Sequence, residues 1–198
     1  MGKVPDALFP TNNQYGIPLL RLDRQADFVD APVEGWGSLS RRDRMRGTWH
    51  FFVDDIKFSN LWSRPDMVIN TKAVSAVEVN YTTNNQMPKA VGLYRIYQKR
   101  WLARYWQEEG LRIFVDLNVA DEFDEMNLLG VPEGWSSFAT SASDSKLDLL
   151  GRQLRVAKGI AGANYLNFMV YGGGQKTIDF CAENDLVFIA DARNAARS

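Results

Sequence analysis

The chain has 198 residues, 45% hydrophobic and 12% aromatic, enough to bury a sizeable core as one domain. Its 23 Lys and Arg against 24 Asp and Glu give a net charge of −1, which excludes a strongly basic nucleic-acid wrapper and leaves room only for local basic patches. A lone cysteine, Cys181 in Ile178-Asp179-Phe180-Cys181, excludes an intrachain disulfide and reads as a small buried apolar group in a reducing compartment.

Residues 1–48 hold Pro5, Pro10, Pro18 and Pro32 with Gly16, Gly35 and Gly37, the composition of an irregular N-terminal arm. Phe9, Leu19, Leu20, Phe28 and Trp36 predict that the arm packs on the body. The opening residues lack the apolar core of a secretory signal and no window is apolar enough to span a bilayer, so a cytoplasmic location without membrane partners is expected.

From Trp49 onward short apolar runs alternate with helix-sized segments. Strands are expected near 49–54, 76–80, 111–117, 135–140, 165–171 and 186–190. Helices are expected from Pro88 to Glu109, stopped by Gly110, from about Asp144 to Ala161 with Ser141 or Ser143 as cap, and from Gly174 through Ala182. This alternation predicts an α/β fold over 49–198 with a mostly parallel sheet, open or curled into a partial or irregular barrel. Several runs end in polar residues or glycine, as in Phe51-Phe52-Val53-Asp54-Asp55, Val77-Glu78-Val79-Asn80 and Ile113-Phe114-Val115-Asp116. Parallel strands bring such ends to one rim, where α/β folds bind ligands.

Asp54, Asp55 and Asp116 are the candidate catalytic carboxylates. Strand alternation lets only one of Asp54 and Asp55 face a shared cleft. Asp54 or Asp55 with Asp116, helped by Asn80 or Asn118, suits Mg²⁺, a hard cation that also takes water and phosphate oxygens. The opposing reading makes these aspartates caps of turns and helices.

Tyr171-Gly172-Gly173-Gly174-Gln175-Lys176 joins a strand to a helix, so Gly172, Gly173 and Gly174 with Lys176 are the candidate phosphate site, although the spacing matches no phosphate-loop motif. A structural turn explains the same run. The long helix interleaves Arg95, Lys99, Arg100 and Arg104 with Tyr94, Tyr97, Trp101 and Tyr105. Its favoured reading is an aromatic core stripe with a solvated basic face. A single-stranded nucleic-acid surface uses the same residues, joined by Arg41, Arg42, Arg44 and Arg46. His50, the one histidine, lies in an apolar strand and reads as a satisfied core residue.

Residues 51–62, Phe-Phe-Val-Asp-Asp-Ile-Lys-Phe-Ser-Asn-Leu-Trp, resemble a family of bacterial and phage proteins, the domain of unknown function DUF4417. The likeness continues through Tyr97-Gln98-Lys99-Arg100-Trp101, Tyr105-Trp106-Gln107, Gly130-Val131-Pro132-Glu133-Gly134 and Tyr171-Gly172. Where such proteins tend to have Asp-x-Ser after the second strand, this chain has Asn80-Tyr81-Thr82. The resemblance implies a phage or mobile-element setting, carries no established activity, and puts Asp54, Asp55, Arg100 and Gly172 in family motifs. The leading expectation is a protein of nucleic-acid or nucleotide metabolism using Mg²⁺-dependent phosphoryl chemistry, with Arg100 stabilising negative charge. The alternative is a non-enzymatic DNA-replication accessory or an inhibitor of a host protein. Exposed aromatic residues would also suit a homo-oligomer interface.

Overall fold

The structure is a computed structural model that describes residues 8–37 and 45–191. Seven strands form one all-parallel sheet in chain order: β1 Val33–Gly35, β2 Thr48–His50, β3 Ser75–Val77, β4 Arg112–Asp116, β5 Ser137–Ser141, β6 Asn167–Tyr171 and β7 Val187–Ile189. The sheet curls into a nearly closed barrel whose seam between β7 and β1 is not sealed by strand pairing. Helices α1 Asp66–Ile69, α2 Lys89–Glu108, α3 Asp124–Asn127, α4 Leu147–Ala161 and α5 Gln175–Glu183 occupy the connections.

Side-chain alternation builds two apolar layers. Val77, Phe114, Ala139 and Met169 meet inside the barrel with Val33 and Ile189. Their neighbours Ala76, Ile113, Val115, Phe138 and Phe168 point outward against the helices. Register aligns the layers, with Val77 beside Phe114 and Ala139 beside Met169. Strands covered on both faces must be apolar throughout, which is why they read as continuous runs. Each buried large side chain contributes roughly 1.5–3 kcal/mol.

The six expected strands form, the first ending at His50 and not at residue 54 and the others within about three residues of the expected bounds, and β1 adds a seventh from within the arm. The arm also closes the amino end of the barrel. Ala26 donates its N–H to the Ile113 carbonyl (3.1 Å), and its own carbonyl accepts from the Ser137 hydroxyl and from Asn167 Nδ2 (3.1 Å). With that end plugged, the carboxyl rim is the open one.

Helix α2 starts one residue after Pro88, and Gly110 at φ +98° ends it, letting the Leu111 N–H reach the Trp106 carbonyl at 3.0 Å. Its packing corrects the expected solvated basic face. Lys99, Arg100 and Arg104 are buried, whereas Tyr94 is exposed and Tyr97 and Tyr105 are half-buried. The helix is covered on most sides: Trp106 stacks on Phe51, and Trp101 packs against Trp62 and Phe9. Lys99 and Arg100 go inside because Glu78 and Asp116 await them there, whereas Arg104 pairs with Glu108 one turn further along the same helix. The expected serine cap also differs, since α4 begins after Lys146 without a side-chain cap and Ser141 ends β5 instead.

Candidate functional site at the carboxyl rim

The open end of the barrel carries two adjoining clefts. The first, about 330 Å³, is lined by Phe52 and Asp54 after β2, Asn80 after β3, Ser141, Tyr171 and Asp191 after β7. His50 stacks beneath it, 4.1 Å from the Tyr171 ring centre and 5.6 Å from that of Phe52. Phe52 and Tyr171 are themselves within 18° of parallel, so the three rings make an aromatic shelf. Two carboxylates stand beside it, and the Tyr171 hydroxyl donates to Asp191 Oδ1 at 3.3 Å.

His50 Nδ1 accepts the Phe52 N–H at 3.3 Å, so the neutral ring carries its proton on Nε2. Burial pushes the His50 pKa down from 6.5 to about 4, against an upward pull from Asp191. The ring is therefore neutral at physiological pH and brings no positive charge to the rim. This agrees with its reading as a core histidine.

The aspartate pair divides as expected, but not through strand alternation: β2 ends at His50, and Asp54 and Asp55 stand at the start of a 3-10 helix over Asp55–Phe58. Asp54 lines the first cleft, whereas Asp55 turns away to accept the Thr82 N–H at 3.2 Å and its hydroxyl at 2.8 Å. Asp116 and Arg100 line neither rim cleft. Both are fully buried beside Glu78 and Lys99. Arg100 pairs with Glu78 and donates to the carbonyls of Leu129 (3.1 Å) and Asn127 (2.6 Å). Lys99 Nζ lies 3.4 Å from Asp116 Oδ2 and donates to the Asp116 carbonyl at 2.9 Å. Burial raises the Asp116 carboxyl to about 6, opposed chiefly by Lys99, and lowers Arg100, opposed by Glu78. With its two acids and two bases, this network ties α2 to the carboxyl end of β3, to β4 and to the end of α3 at Asn127 with Leu129 just beyond it.

The structure thus brings Asp54 together with Gly172 and Gly173, and separates them from the Asp116 and Arg100 expected to share their site. Among the described residues, no three acidic, histidine or cysteine side chains converge on a metal-sized gap. The hard oxygen donors that do share a cleft are Asp54 and Asp191.

The glycine run has a local explanation. Gly172 and Gly173 have φ of +78° and +97°, and a Cβ at Gly173 would fall 2.3 Å from Thr177 Oγ1. This close turn lets Asp144 Oδ1 accept the N–H groups of Gly174 (2.8 Å) and Thr177 (3.0 Å) and the Thr177 hydroxyl (2.7 Å). The Thr177 hydrogen bond, joined by those amides, holds the Asp144 pKa below its ordinary value. The amino end of α5, expected to hold phosphate, is thereby occupied by the protein's own carboxylate. Lys176 is exposed beside it.

The second cleft, about 410 Å³, shares Asn80 and is lined by Thr82, Asn84, Asn118, Asp121 and Lys146 among others. Of the residues proposed for nucleic acid, Arg46 is exposed, and Arg95 is half-buried over the Tyr81 ring in a third groove of about 350 Å³ that also holds Asp55. Lys99 and Arg104 are committed to Asp116 and Glu108. Arg41, Arg42 and Arg44 lie outside the described residues.

Asp191, Tyr171 and Lys146 were not among the sequence-derived site residues. The run Val187-Phe188-Ile189-Ala190-Asp191 nevertheless follows the same apolar-then-acidic pattern as the strands singled out. Cys181 is buried and its thiol is pushed up to about 11, which makes it a packing residue. Among the described residues, no helix is long and apolar enough to cross a membrane.

Two curated proteins are similar to the chain. The Gene 1 protein of Mycobacterium phage L5 is 36% identical over 110 residues, covering 53% of this chain and 47% of the relative. The Gene 1 protein of Mycobacterium phage D29 is 32% identical over 133 residues, covering 64% and 48%. The chain spans about half the length of these curated relatives. No solved structure matches it. The profile of the domain of unknown function DUF4417 matches residues 9–154, most of the barrel, and the chain belongs to that family.

Proposed function

We propose that the protein binds a nucleotide, free or within a nucleic acid, in the first rim cleft, and acts in the nucleotide or nucleic-acid metabolism of a phage. The observation that carries this reading is the shelf of His50, Phe52 and Tyr171 set beside Asp54, Asp191 and Asn80. Flat aromatic rings stack on a nucleobase for about 1–3 kcal/mol per base, whatever the base. The carboxylates accept from ring and exocyclic N–H groups, and the buried, neutral His50 supports the Phe52 and Tyr171 rings from beneath without adding charge. The similarity to two phage Gene 1 proteins supports the phage setting.

In the catalytic form of the reading Asp54 and Asp191 would hold Mg²⁺, which would polarise phosphate and lower the pKa of bound water. The test is calorimetric titration with the four deoxynucleoside monophosphates, with and without Mg²⁺, followed by chromatography of the ligand. Binding is expected, weakened about tenfold or more by Phe52→Ala and by Asp54→Asn. Product formed only with Mg²⁺ supports the catalytic form, and an intact ligand supports a binding protein. If no nucleotide binds at millimolar concentration under either condition, the proposal fails.

A further inference from the structure

We infer that the rim holds two adjoining subsites and that its ligand is a dinucleoside phosphate unit, one base lying on the aromatic shelf and the joining phosphate passing Asn80 toward Lys146. The inference deepens the nucleotide-binding proposal and rests on it. Each cleft alone lies near the lower end of the roughly 300–1,000 Å³ usual for ligand sites, and the two share Asn80. That shared wall is fixed in place: Asn118 Nδ2 donates to Asn80 Oδ1 at 3.4 Å, and the Asn118 N–H donates to Asp116 Oδ1 at 2.9 Å. The buried ionic network therefore positions the divide between the clefts.

Charge gives the ligand a direction. The first cleft carries the exposed Asp54, which accepts hydrogen bonds from a base or a ribose hydroxyl and repels phosphate. In the second cleft the acidic residue, Asp121, is already paired with Arg152. Lys146 is the cation lining it, among neutral amides and hydroxyls such as Asn84, Asn85 and Thr83. Amides and hydroxyls that both donate and accept suit sugar and phosphate oxygens, and an exposed ammonium suits the phosphodiester charge.

The test compares binding of deoxyadenosine monophosphate, the dinucleoside phosphate d(ApA) and a hexameric oligodeoxyadenylate to the intact chain and to Lys146→Ala and Asn84→Ala. Both substituted residues are exposed, and the one described hydrogen bond lost is the Gln86 N–H to Asn84 Oδ1 in a surface turn, so the core is untouched. The expected result is at least tenfold tighter binding of d(ApA) than of the monophosphate, with the gain lost in both variants and monophosphate binding unchanged. Hexamer binding equal to d(ApA) supports a strand end as the ligand, and its exclusion supports a free dinucleotide. Equal binding of monophosphate and d(ApA), or a gain that survives both substitutions, overturns this inference while leaving the nucleotide proposal standing. Absence of monophosphate and d(ApA) binding overturns both.

Discussion

His50→Gln should change how stability depends on pH, not merely how much there is. In the fold, His50 titrates near 4, whereas an unfolded histidine titrates near 6.5. Between those values the unfolded chain holds the extra proton, so this group's contribution to stability rises with pH and is lost as pH falls through the window. At 1.36 kcal/mol per pH unit, the loss between pH 7 and pH 4 amounts to about 3 kcal/mol. Asp116 acts in the opposite sense. Its folded value of about 6 lies above the ordinary 3.8, so the folded state holds the extra proton and stability falls by about 2 kcal/mol as pH rises from 4 to 7. The two slopes largely cancel in the parent protein. Removing the imidazole unmasks the Asp116 slope, while the glutamine carbonyl still offers the Phe52 N–H an acceptor. The assay is urea unfolding followed by tryptophan fluorescence at pH 7, 5.5 and 4. The stability gap between parent and variant should move by about 3 kcal/mol in the variant's favour across that range. A gap constant to within about 0.5 kcal/mol would refute the claim that the fold holds a neutral, buried imidazole.

The other two perturbations bear on stability. Arg100→Met leaves Glu78 buried beside Lys99 alone and should cost about 3–5 kcal/mol; adding Glu78→Gln should recover part of it, and strictly additive costs in a denaturation cycle would count against the pairing. Gly130→Ala sets a Cβ 2.1 Å from the Pro18 carbonyl oxygen at φ +77° and should cost about 2–4 kcal/mol, against about 1 for Gly110→Ala, which meets open space; equal melting shifts would contradict the close approach of arm and barrel.

The strands were legible because a parallel barrel covers both faces of every strand, leaving uninterrupted apolar runs such as Phe168-Met169-Val170. Strand β1 escaped because Val33-Glu34-Gly35 is too short to show a period and is only half-buried. Asp54 and Asp55 do diverge, but because the chain turns into a 3-10 helix at Asp55 and not because a strand runs through them. Long-range pairing was beyond local pattern: nothing near Lys99 or Arg100 announces that Glu78 and Asp116 will meet them in the interior. The glycine run likewise resembles an anion cradle, but its anion is Asp144, some thirty residues upstream. A reading of neighbours in sequence finds the cradle and misses its occupant.

The strand order has a consequence for how the chain is made. Because every strand pairs with its immediate predecessor, each newly synthesised strand finds its partner already in place, and assembly proceeds from β1 to β7 without waiting for later segments. Until β7 arrives, the growing sheet presents the bare edge of β6 and an incompletely covered interior around Phe114 and Met169. Ribosome stalling or proteolytic clipping before residue 187 should therefore yield fragments that aggregate edge to edge.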